Sequence, residues 1–256
     1  MSGSPGWPPW TASRERSSYA YTAITPKGKE ERRVTLSAAQ ALSNYGLFLF
    51  LALILSLCLH EFAHAWMADR LGDDTPRKAG RLTLNPLKHV SVLGTLAFIL
   101  TQRVGWAKPV PINFANLGLR KTALVAFAGP ALNFLLAFFG GLGLLVLSKL
   151  GLKEELVAWP AYFLTTLVYV NVFLGLVNLL PIPPLDGYRI ALYFASRYME
   201  IPEYTKENLK KYIALDFLGA GVLVVLSFNH ELIAGFTEVG NALFAFFVTA
   251  GGLLPM

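Results

Sequence analysis

Five stretches of this chain are too apolar to be left in water, and they limit the fold more than any other feature: residues 45–68, 122–148, 159–180, 212–228 and 232–253. A helix rising ~1.5 Å per residue needs about 20 such residues to cross ~30 Å of hydrocarbon. Backbone in lipid must satisfy its hydrogen bonds within the protein, so the expected architecture is an all-α transmembrane helix bundle. A sixth run, Val90–Leu100, is too short to cross and reads as a re-entrant or interfacial piece, which brings the total to about five to six membrane segments. Turn signals such as Gly72-Asp73-Asp74 and Lys108-Pro109-Val110-Pro111 flank it. They predict short strands or re-entrant elements near residues 79–116. With 54% hydrophobic and 15% charged residues among 256, a soluble α/β enzyme is excluded, and the lipid bilayer is the expected solvent.

These runs divide the chain into three regions. Residues 1–44, rich in Ser, Pro, Lys and Arg, read as a polar, disordered tail with no cleavable signal peptide, because the first apolar run starts too late. Residues 45–190 form the expected transmembrane core, and residues 191–256 an amphipathic segment followed by a transmembrane hairpin. The net charge of +6 sits in the connections between spans rather than on one soluble face, so no nucleic-acid partner is expected. Lys and Arg are densest in the loops after Arg70 and around Arg197, which places both in the cytoplasm and the N-terminus outside. The single cysteine, Cys58, excludes an intramolecular disulfide and any cysteine-rich metal site. Composition leaves a homo-oligomer open.

The first apolar run ends in His60-Glu61-Phe62-Ala63-His64, an H-E-x-x-H pattern inside a helical stretch from Leu47 to Ala68. Residues four apart share a helix face, so both imidazoles can reach one Zn²⁺ with Glu61 beside its water. Ionisable side chains at membrane depth cost several kcal/mol unless they serve a site. The competing reading is a polar helix end hydrogen-bonded in the headgroup region. Cys58 points to another face of the helix and fits packing better than ligation.

A catalytic zinc with two imidazoles lacks one protein ligand. His89 and His230 qualify by residue type, but one lies in a basic loop and the other in a short polar connection, where surface roles suit them better. Asp186 is the stronger candidate. It follows Pro181-Ile182-Pro183-Pro184-Leu185, whose prolines cannot continue a helix, so the carboxylate projects from unwound backbone. Its alternative role is to cap the next helix. Counting spans alternately puts Asp186 at the same face as the histidines. His60 then lies about 15 Å before Arg70 along the helix, submerged but open to the cytoplasm, and Asn133 reaches about the same depth.

HEFAH on one membrane helix, Gly129-Pro130-Ala131-Leu132-Asn133 on the next long one and Asn178-Leu179-Leu180-Pro181-Ile182-Pro183-Pro184-Leu185-Asp186-Gly187 after a third resemble the site-2 proteases, the M50 intramembrane metallopeptidases. The segments Ala79–Leu87 and Gly105–Pro111 are similar to those of the compact prokaryotic branch that lacks PDZ domains. The resemblance spans residues 50–190 and implies a zinc metalloprotease of the cell membrane acting on transmembrane protein substrates, its active site toward the cytoplasm. It implies His60, His64 and Asp186 as zinc ligands and Glu61 as catalytic base. Asn133 and Asn178 are implied to support the substrate backbone or the oxyanion. Departures lie at the ends: the N-terminal tail is long, residues 188–256 hold no anchoring motif, and His89 is followed by Val90-Ser91 where relatives often carry an acidic residue. The competing function is a membrane metal-ion transporter, since buried His and Asp also line ion paths. That reading calls for further polar residues along the spans, and 134–147 is almost wholly apolar.

Overall fold

The computed structural model describes residues 18–19, 36–94, 96 and 107–249. It divides into two compact units, Met1–Leu47 and Phe48–Met256. In the first, strands β1 (Ser18–Tyr19) and β2 (Leu36–Ser37) pair antiparallel, Ser18 opposite Ser37 and Tyr19 opposite Leu36. Most of the tail expected at 1–44, including its expected disorder, lies outside the described residues.

Helix α1 spans Ala38–Arg70. After it come α2 (Thr75–Lys78), a 3-10 turn at Pro86–Lys88, α3 (Phe114–Lys149) and α4 (Glu154–Asn178). The chain ends in α5 (Asp186–Ala195), α6 (Lys206–Leu226) and α7 (His230–Val248). Among the described residues, four helical segments are long and apolar enough to cross a membrane: Gly46–Arg70, Phe114–Lys149, Glu155–Asn178 and His230–Val248. The apolar run at 212–228 is not among them. It belongs to α6, whose first turns carry Lys206, Glu207, Lys210 and Lys211 and whose middle carries Asp216. The run at 90–100 lies partly outside the described residues.

No strand forms among the described residues of 79–116, and residues 95 and 97–106 of that stretch lie outside them. Pro109 and Pro111 have no N–H to give to a ladder. The segment is instead fixed by side chains and single main-chain bonds. Arg81 donates to the Lys108 and Pro109 carbonyls, and the Lys108 N–H donates to the His89 carbonyl at 2.7 Å.

Small residues bring the spans together, as is usual where lipid is as apolar as a leucine side chain. Ala52 of α1 packs on Leu167 and Val170 of α4, Ala68 on Leu117 and Val125 of α3, and Ala137 of α3 on Val168 and Val172 of α4. Large side chains such as Phe50, Leu55, Phe138 and Phe139 point outward, as a lipid-facing surface requires. Helix α3 is interrupted once at Gly118, whose φ of 66° is open to glycine at little cost, and it carries Pro130 in its interior. The bend lets Leu117 and Val125 both reach Ala68, near the end of α1 that carries the histidines.

Candidate metal centre

The fourfold spacing in α1 sets His60 and His64 on one face, both buried, with their rings edge to face and their Nε2 atoms 3.0 Å apart. The third group arrives from a distant part of the chain. Helix α4 stops at Asn178, and Pro181, Pro183 and Pro184 hold the next residues out of helix, with the Pro183–Pro184 peptide cis. Extended Leu185 then places Asp186 at the first position of α5. Asp186 Oδ2 lies 3.3 Å from each histidine Nε2.

Hydrogen bonding on the far side of each ring fixes what these atoms present. His64 Nδ1 sits 2.7 Å from the Val125 carbonyl oxygen, which can only accept, so Nδ1 carries a proton and the neutral ring keeps its lone pair on Nε2. His60 Nδ1 sits 2.6 Å from Asn133 Oδ1 and is likewise the donor. Two lone pairs therefore face each other at 3.0 Å, and Asp186 Oδ2, buried without a hydrogen-bond partner, faces both. In the neutral rings three convergent acceptors repel one another unless a proton or a metal ion lies between them. A tetrahedral centre with bonds of ~2.0–2.2 Å has ligand-to-ligand edges of about 3.3–3.6 Å, close to the separations found. Two nitrogens and one carboxylate suit zinc far better than calcium or magnesium, which take oxygen ligands. The donor set fits Zn²⁺.

Glu61 stands beside this trio, its Oε2 accepting a 2.9 Å hydrogen bond from the Val110 N–H. A cavity of about 190 Å³ opens between them. It is lined by the three acceptor residues, Glu61, Asn178, the apolar side chains of Val110, Ile112, Phe114 and Val125, and Arg189 of α5. Arg189 donates to the Pro184 carbonyl at 3.2 Å and to Asp216 Oδ2 of α6 at 2.9 Å, and its guanidinium stacks 5.0 Å from the Phe114 ring centre. Tyr204 packs on the same Phe114 ring, 5.2 Å between ring centres, and burial pushes its phenol above the ordinary value, so it stays neutral.

His60, His64, Glu61, Asp186 and Asn178 thus meet around one cavity. Asn133 does not line it. It lies fully buried beside His60, its amide oxygen 2.6 Å from His60 Nδ1 and its amide nitrogen given to Asn171 Oδ1 at 2.8 Å. His89 is also unlike the surface residue expected from its loop. It is buried, with Nε2 2.8 Å from the Thr83 carbonyl, because the loop at 81–90 folds over it. His230 is exposed at the start of α7, and Cys58 is a buried packing residue whose thiol donates to the Leu84 carbonyl.

The sequence reading assigned no role to Gly129, the Val125 carbonyl, Asn171, Ser56 or Arg189. Gly129 had a signal: a Cβ there would sit 2.5 Å from His64 Nε2 and 2.6 Å from His60 Cε1, so the glycine of Gly129-Pro130-Ala131-Leu132-Asn133 makes room for both rings. The Val125 carbonyl had none, since main-chain acceptors carry no residue code.

Comparison with known proteins bears on this geometry. The sequence profile described as Peptidase family M50 matches residues 48–158 and 143–221. The candidate zinc metalloprotease YwhC of Bacillus subtilis is 45% identical over 148 residues, covering 56% of this chain and 67% of YwhC. The candidate zinc metalloprotease Rip2 of Mycolicibacterium smegmatis is 33% identical over 179 residues, covering 65% of each chain. The matched stretch thus spans about two thirds of the length of these relatives. No solved structure matches the chain.

Proposed function

This chain belongs to peptidase family M50, and on that premise we propose that it is a multi-pass membrane zinc metalloprotease that hydrolyses peptide bonds within or near transmembrane segments of membrane-protein substrates. The carrying observation is the convergence of His60 Nε2, His64 Nε2 and Asp186 Oδ2 from α1 and α5 within 3.0–3.3 Å. These three residues would hold the ion. Bound there, zinc acidifies water toward a pKa of ~7 and polarises a carbonyl.

The chain's own residues do the rest. Glu61, held at Oε2 by the Val110 N–H, keeps its other oxygen for the proton taken from water and later given to the leaving amine nitrogen. The small apolar wall of Val110, Ile112, Phe114 and Val125 receives the side chains that flank the scissile bond and excludes bulk water. Asn178 on the cavity wall holds the substrate backbone. A helical substrate hides its amides, so it must unwind before attack. Alternate counting of spans and the Lys and Arg density support a cavity open toward the cytoplasmic face of the cell membrane.

The test uses purified wild type and Glu61→Gln, scored for bound zinc and for cleavage of a panel of single-span substrates. Zinc in both with cleavage only in wild type is the expected result. Cleavage by Glu61→Gln at the wild-type rate would remove Glu61 from the chemistry, and metal flux without cleavage would replace protease by transporter.

A further inference from the structure

Behind His60 runs a line of buried polar side chains that the hydrolytic chemistry does not use. Asn133 of α3, Asn171 of α4 and Ser56 of α1 are each fully shielded, one from each of three spans. Polar groups at this depth are retained only when something is gained by satisfying them. Asn171 Nδ2 donates to the Leu167 carbonyl and to Ser56 Oγ, both at 2.8 Å. Asn133 Nδ2 donates to Asn171 Oδ1 at 2.8 Å, and Asn133 Oδ1 faces His60 Nδ1 at 2.6 Å.

The order of donors along this line is forced from its far end. A main-chain carbonyl can only accept, so the Asn171 atom that meets Leu167 must be the amide nitrogen. Its oxygen then faces Asn133, which must answer with its own nitrogen. Asn133 is left to offer its oxygen to His60, and only Nδ1–H can meet it. The lone pair of His60 is thereby confined to Nε2, the atom that faces His64 and Asp186.

We propose that Asn171, anchored on Leu167 and Ser56, is a positioning residue for zinc binding: it fixes the Asn133 amide and, through it, the tautomer and tilt of His60. The inference rests on the metalloprotease reading above. His64 has a shorter version of the same device in the Val125 carbonyl. Because the polarity of the line matters and not only its packing, a side chain of similar size with the wrong donors should fail. Asp at position 171 can accept from Asn133 but cannot donate to Leu167, whereas Leu fills the volume and leaves Asn133 free to turn.

The experiment measures zinc affinity by chelator competition on full-length protein in detergent, alongside the thermal midpoint of each metal-free form. Variants are Asn171→Leu, Asn171→Asp, Ser56→Ala and, as control, Thr166→Val, a buried polar residue of α4 whose hydroxyl donates to the Tyr162 carbonyl. Loss of a group that orients a metal ligand typically weakens binding by about 10–100-fold. That loss is expected in both Asn171 variants, with a smaller, several-fold loss in Ser56→Ala and none in Thr166→Val. Wild-type affinity in Asn171→Leu or Asn171→Asp overturns the proposal. So does an equal fall in Thr166→Val, which would make the effect one of packing. If Asn171 variants fail to fold, Ser56→Ala decides, and unchanged affinity there counts against the relay. Absence of zinc from wild type would overturn the metalloprotease reading itself, and the relay with it.

Discussion

Gly129→Ala is the most demanding small change the metal centre can be given. The added methyl would lie 2.5 Å from His64 Nε2 and 2.6 Å from both His60 Cε1 and His64 Cε1. Ordinary contact between such atoms is about 3.5–4.0 Å, so the two rings must retreat by about 1 Å or α3 must move away from α1. A zinc site tolerates about 0.2 Å in its bond lengths, and neither ring can swing freely, since each is tied at Nδ1 to α3 itself. Zinc affinity is therefore expected to fall by at least about 10–100-fold, and turnover at saturating zinc by about 10²-fold, the usual cost of a misplacement near 1 Å. Helix propensity works the other way, because Ala is about 1 kcal/mol better than Gly in a helix, so the variant should still fold. The assay is chelator competition together with cleavage of a single-span reporter, with Gly235→Ala in α7 as control because nothing lies within 4 Å of its position. Wild-type zinc affinity in Gly129→Ala would refute the claim that α3 packs against the ligand pair.

Three further expectations follow from the same contacts. Val110→Pro removes the N–H that holds Glu61 Oε2; a hydrogen bond to a charged group contributes about 1.5–3 kcal/mol, so kcat should drop about tenfold or more while zinc content measured on the same sample stays at the wild-type level. Asp73→Ala strips the buried carboxylate that accepts from Thr75 and, at 2.7 Å, from the Asn113 N–H before α3; a loss of about 2–3 kcal/mol is expected, read as a lower thermal midpoint. Metal removal should matter only through the trio: at a free zinc concentration 1,000 times Kd the ion stabilises the fold by about 4.1 kcal/mol, so a chelator should lower the midpoint of wild type and leave that of His64→Ala unmoved.

Much of this architecture is written locally in the sequence. The long apolar runs at 45–68, 122–148 and 159–180 correspond to helices because lipid permits little else, and H-E-x-x-H declares its shared face through helical spacing alone. The prolines before Asp186 announce unwound backbone for an equally local reason. What was not legible depends on the partner across the bundle. The run at 212–228 sits in α6 with Asp216 and three lysines, and so falls outside the four described segments long and apolar enough to cross a membrane. His89 reads as a loop residue, and only the fold over Arg81 and Lys108 buries it. Asn133 could be assigned to the site by depth but not to a face, since its direction is set by Asn171, 38 residues away. Arg189 gave no signal, because its partners are a main-chain oxygen and an acid in α6.

The most direct measurement is anomalous scattering at the zinc edge from crystals of the full chain grown with zinc. One peak per chain is expected, at ~2.0–2.2 Å from His60 Nε2, His64 Nε2 and an Asp186 carboxylate oxygen. A peak bonded to other residues, or an Asp186 carboxylate turned away from an ion held by the histidines, would contradict the account.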